Sequence, residues 1–170
     1  MDKTIVTALL IVISMVMAIM LFNIAYPAIV EGGEALNSMA DQAEDRLRTQ
    51  ITIIHATAEL DSNGLWQDTN ANGVFDVFTW VKNTGVQRLI ALDGLDVFMG
   101  PEGNFTRIPH ESQAGGVYPR WSWHIENGTE WTPTATLRVT VHYQNPLAAG
   151  RYFVKVVLPN GIDSDTVFSL

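Results

Sequence analysis

Thr4–Val30 reads TIVTALLIVISMVMAIMLFNIAYPAIV, and no residue in it carries a formal charge. Asp2 and Lys3 stand before it and Glu31 closes it. About 20 apolar residues at roughly 1.5 Å rise each cross a bilayer core, so this run is long enough to span a membrane as a helix. Met1-Asp2-Lys3 has no excess positive charge, the run exceeds a signal-peptide h-region, and Ala25-Tyr26-Pro27 is a poor cleavage site. An ordinary signal peptide is therefore disfavoured. A single-pass anchor and a filament helix both remain.

Working outward, helical periodicity continues past the run. Leu36, Met39/Ala40, Ala43, Leu47 and Ile51 recur every three or four residues, with Glu34, Asp41, Glu44, Asp45, Arg46 and Arg48 on the other faces. Pro27 and Gly32-Gly33 are expected to kink or loosen the helix. That continuing periodicity and two features of the run, its small and flexible residues and a polar amide, favour helix bundling over a lone anchor. Small residues (Ala8, Ser14, Ala18, Ala25, Ala28) permit close approach in lipid. Met15, Met17 and Met20 fill irregular gaps. Asn23 is a polar amide from which an isolated anchor gains nothing. Ile5, Leu9, Ile13, Met17, Leu21 and Ile24 are the candidate assembly residues.

From about residue 50 the pattern turns to β. Ile51–Leu60 reads as strand or as final helical turns. Strands are expected at Phe75–Lys82, Leu89–Leu92, Leu95–Met99, Phe105–Ile108, Arg120–Glu126, Thr136–Tyr143, Tyr152–Leu158 and Thr166–Leu170, mostly separated by Gly, Pro, Asn or Asp. Seven or eight short strands so spaced predict an immunoglobulin-like antiparallel β-sandwich. The expected fold class is α+β: a long N-terminal hydrophobic α-helix over residues 1–50, then the sandwich over residues 51–170.

Net charge is −8, which argues against nucleic acid as a partner. There is no cysteine, so disulfides, thiolate catalysis and Cys-based zinc sites are excluded. His55, His110, His124 and His142 show no metal-ligand spacing, and His124 is expected on the solvent face of a strand. Ser112 lacks a nucleophile-elbow context, and no Gly-rich phosphate loop occurs. Trp80, Trp121, Trp123 and Trp131 fit a sandwich core or subunit contact better than a sugar platform. No catalytic constellation emerges, and a non-enzymatic role is expected.

Asp68-Thr-Asn70-Ala-Asn72-Gly73-Val-Phe-Asp76 places oxygen-bearing side chains at positions 1, 3, 5 and 9 and Gly at 6. That is the front of a calcium loop, although Thr79 replaces the glutamate at position 12 and the flanks read as strand. Either Asp68, Asn70, Asn72 and Asp76 hold a structural calcium, or the segment is a hairpin loop whose residues serve turn geometry. No cofactor is otherwise required. Asn104-Phe-Thr106 and Asn127-Gly-Thr129 fit the N-glycosylation acceptor pattern.

Taken together, TALLIVISMVMAIMLFNIAYPAIV (Thr7–Val30) with Asp45-Arg46-Leu47, FTWVKNTGVQRLIALDGLDVFMG (Phe78–Gly100) and YFVKVVLPNGIDSDTVFSL (Tyr152–Leu170) resemble archaeal-type flagellins (archaellins) of the type IV pilin-like filament superfamily. The resemblance implies a structural subunit of an archaellum-like motility filament, a homo-polymer whose helices bundle in the core while sandwiches tile the outside. It implies a membrane-inserted precursor, a prepilin-type peptidase and an archaellum export and motor platform as partners, and an extracellular filament on the cell surface as the destination. The Lys/Arg and Gly of a leader do not precede the run, and Ile5 stands where many pilins carry glutamate. The same layout occurs in membrane-anchored archaellum stator or accessory proteins and in adhesive pilins, which are the alternatives.

Overall fold

The computed structural model describes residues 2–170. The chain divides into two units, a helix and, from Asp45 to Leu170, a β-sandwich. Helix α1 (Asp2–Arg48) is unbroken through Pro27 and Gly32-Gly33, so the looseness expected there does not end it. Thr7 and Ser14 return their hydroxyls to the carbonyls of Lys3 and Leu10, both at 2.8 Å, and so satisfy themselves within the helix. Phe22 and Tyr26 stack one turn apart. No residue of α1 is buried.

Eight strands follow: β1 (Ile51–Ala58), β2 (Phe75–Asn83), β3 (Asp96–Pro101), β4 (Thr106–Ile108), β5 (Arg120–Ile125), β6 (Thr136–Tyr143), β7 (Arg151–Val157) and β8 (Asp163–Ser169). One sheet has the order β1-β2-β6-β5 and the other β4-β3-β7-β8, every named pair being antiparallel. This is the expected immunoglobulin-like sandwich. Period-two alternation builds the core: Phe75, Val77 and Val81 of β2 and Leu137, Val139 and Val141 of β6 face Val97 and Met99 of β3 and Val154 and Val156 of β7. Each such side chain contributes about 1.5–3 kcal/mol on burial. Trp121 and Trp131 are fully buried among them.

The expected strand at Leu89–Leu92 is instead a crossing between the sheets. Leu89 makes one bridge to Trp131, Ala91 turns left-handed at φ 58°, and Leu92–Gly94 is a 3-10 turn. A segment leaving β2 of one sheet for β3 of the other cannot continue either ladder. β8 begins three residues earlier than expected, because the turn at Pro159–Ile162 sets Val157 opposite Asp163.

The KNTG segment has a packing reason. Asn83 is buried, and its amide donates to the carbonyls of Gln87 (2.9 Å) and Trp131 (3.1 Å) while its Oδ1 accepts from Gly85 N–H (3.0 Å). A Cβ on Gly85 would lie 2.6 Å from both Arg48 O and Gln50 N. Only glycine lets this turn lie against the backbone that links α1 to β1.

Candidate functional site

The outer face of the first sheet carries most of the polar chemistry. Side chains at even positions of β2 point out, and the register aligns them in rows across the strands. One row is His55, Trp80, Arg138 and His124. The next is Thr57, Phe78, Thr140 and Ser122, and beyond it Asp76, His142 and Arg120.

Asp76 points outward yet is fully buried, because the Asp68–Gly73 loop folds over it. Its Oδ1 meets His142 Nδ1 at 2.6 Å, and His142 Nε2 meets Ser122 Oγ at 2.9 Å. Its Oδ2 accepts from the Asn70 and Asn72 amides at 2.8 and 3.1 Å. Burial pushes the Asp76 carboxyl up. The His142 hydrogen bond and charge, with the two amides, outweigh it and hold the group below the usual carboxylate range. Buried Glu59 braces the loop from below: it accepts from Thr69 N–H (3.2 Å) and the Thr69 hydroxyl, and from Asp76 N–H (3.4 Å).

The Ser122–His142–Asp76 order matches a nucleophile, base and orienting acid, but the surroundings do not. Trp121 donates its N–H to Pro109 O and accepts from Glu111 N–H on the outer side of β5. By strand alternation the N–H of Ser122 therefore points into the β6 ladder. A mid-strand serine so placed has no backbone donor for an oxyanion. The relay is a clamp that ties edge strand β5 to β2 across β6.

Asp68, Asn70, Asn72 and Asp76 come together as the loop spacing predicts. Asp68 accepts from the N–H groups of Asn72 (3.2 Å) and Gly73 (2.9 Å), and Gly73 takes φ 74°. In this arrangement the asparagine amides present Nδ2, not oxygen, to Asp76. A cation would require both to turn over, exchanging donors for acceptors, and would replace the two bonds to Asp76. Among the described residues no group of three or more His, Asp or Glu is placed to hold a metal. Glu59, Ser122 and His142 escaped sequence reasoning because residues this far apart join only through strand register.

Ile5, Leu9, Ile13, Met17, Leu21 and Ile24 all lie on α1, at 45–73% exposure. Steps of four residues drift about 40° around the axis and the final step of three turns back, so all six stay within an arc of about 160° on one side of the helix. Trp121 and Trp131 lie in the core, and Trp123 donates to Asp93 at 2.7 Å. Of these four, Trp80 is on the outer face, stacked on His55, and His124 is exposed in the same row beyond Arg138. Asn104 is exposed in the turn before β4. Asn127 uses its Oδ1 to accept from Thr136 N–H at 2.9 Å.

No protein-family model and no curated protein matches the chain. Among solved structures, the chain is similar to the archaellum periplasmic stator protein FlaG from Sulfolobus acidocaldarius. Identity is 22% and the TM-score 0.54, covering 71% of this chain and 99% of that one. It is similar also to a chain of the archaellum periplasmic stator protein complex FlaF and FlaG from the same organism, at 22% identity and TM-score 0.53, covering 71% and 89%. Both are stator chains, whereas the sequence resemblance pointed first to filament subunits.

Two outcomes follow from the Asp76 cluster. A carboxylate with a depressed folded pKa stabilises above its unfolded value of 3.8 and loses that contribution as pH falls through the lower folded value. Thermal melts between pH 6 and pH 2 should show wild type losing its advantage over Asp76→Asn in that acid window; parallel curves would contradict the assignment. If the loop takes calcium, millimolar Ca²⁺ should raise the Tm above that in EGTA, and Asp68→Ala should abolish the rise. An unchanged Tm leaves the loop as a turn closed by its own hydrogen bonds.

Proposed function

We propose that the chain is a membrane-anchored, stator-type component of an archaellum-like motility machine. It is structural rather than catalytic, held by α1 with its sandwich outside the membrane. The observation that carries this reading is the sandwich: its fold is shared with two archaellum stator chains, one of them over 99% of that chain's length. The complex of FlaF and FlaG named for one neighbour supports association with other sandwich-bearing components as the mode of action. The uncharged run Thr4–Val30 supplies the anchor.

A second reading is the filament subunit, a homo-polymer on the cell surface. Asn23 favours it. This amide is on an exposed helix and has no hydrogen-bond partner among the described residues. In hydrocarbon such a group gains from a facing helix. On that reading a prepilin-type peptidase and an export platform are the further partners.

Fractionation of the native cells separates the two. The stator reading predicts the chain in membranes, its absence from sheared filaments, and paralysed but filamented cells on deletion. Recovery as the dominant component of sheared filaments would overturn it in favour of the subunit.

A further inference from the structure

The first sheet's outer face is cationic on an acidic protein. It carries Lys82, Arg120 and Arg138, with His55 and His124 exposed beside them, against Glu126, which pairs with Arg138, and Asp76, which is buried against His142. The whole chain has net charge −8. Three of its four histidines (His55, His124 and His142) lie on this face. Arg138 sits over the Phe78 ring at 5.7 Å and Arg120 over the Tyr118 ring at 4.5 Å. Glu126 fixes both Trp80 Nε1 (3.1 Å) and Arg138 (3.2 Å). Aromatic rings with stacked arginines are the composition of binding hot spots. Arg138 keeps about a third of its side chain exposed and Arg120 is half-buried, so each guanidinium still presents part of its charge at the surface.

The complementary charge is in the same sequence. No lysine or arginine occurs between Lys3 and Arg46, while Glu31, Glu34, Asp41, Glu44 and Asp45 do. At about 100° per residue, positions 34, 41 and 45 fall on the side of α1 opposite Leu36, Ala40, Ala43 and Leu47. The helix therefore has an acidic face separate from its apolar one, and none of it is buried. The lengths agree. Glu31 to Asp45 spans about 21 Å at 1.5 Å per residue. Arg120, Arg138 and Lys82 run diagonally over β5, β6 and β2, six residues along and two strand spacings across, or about 22 Å.

We infer that this face is a docking surface for the acidic segment Glu31–Asp45 of a second copy of the chain. The contact leaves the apolar face of α1 for other helices or lipid. It lets carboxylates of one copy lie against the exposed charge of Lys82, Arg120 and Arg138 in the next. The inference stands whether the chain is a stator or a filament subunit, since both keep α1 exposed to neighbours.

The absence of cysteine makes the test clean. Full-length chains carrying Ser38→Cys, on the acidic side of α1, are mixed in detergent micelles with chains carrying His124→Cys, on the sheet face. A short bis-maleimide is then added. The inference predicts a cross-linked heterodimer. Its yield should fall roughly tenfold when Arg120→Glu and Arg138→Glu are added to the second chain, as expected when a few exposed charge pairs are reversed. Adding Glu34→Lys and Asp41→Lys to the first chain should restore it, which guards against mere misfolding of the arginine variants. No heterodimer, or a yield indifferent to charge reversal, would overturn it.

Discussion

A long apolar helix is the constraint on which the rest depends. Thr4–Val30 has no charged side chain, and none of α1 is buried. At about 25 cal/mol per Å², such a surface is costly in water and is compatible with membrane anchoring. The Thr7 and Ser14 hydroxyls are already satisfied by the helix backbone. Asn23 is the polar group that hydrocarbon leaves in want of a partner. Everything outside this run is built so that the remainder of the chain does not share the problem.

The sandwich meets that requirement by closing on itself. Its two inner faces cover each other with β-branched and aromatic side chains. The relay from Asp76 through His142 to Ser122 fastens edge strand β5. Ile53 N–H, on edge strand β1, donates to Ser164 Oγ of β8 at 3.0 Å, so two edges meet rather than lie open. The last turn of α1 belongs to this unit: Arg46 donates to Asn160 O at 3.1 Å, and Asn160 donates to Thr49 Oγ1 at 2.6 Å. The PNG turn thereby has a second role as the seat of the helix end.

The fold was largely legible because its signals are local. An uncharged run is read from composition, and strands that alternate about a core are read from period two, as in Phe75–Asn83 and Thr136–Tyr143. Leu89–Leu92 misled because a short apolar run has the same composition whether it pairs or crosses between sheets. The candidate site was legible only where it is contiguous. Asp68, Asn70, Asn72 and Asp76 are one loop, and their spacing announced it. Glu59, Ser122 and His142 join that loop by strand order and register, which no window of sequence contains. The cationic face was hidden for the same reason: its arginines and histidines are distant in sequence and adjacent only across strands.

The sandwich has a closed core of its own, whereas α1 carries an uncharged apolar run with no buried residue. Expressing Asp45–Leu170 without the preceding helix, beside the full chain, tests this most directly by sedimentation and thermal melting. The account predicts that the fragment is soluble and melts in one cooperative transition, while the full chain sediments with membranes. A fragment that fails to fold, or a full chain recovered as a soluble monomer, would contradict it.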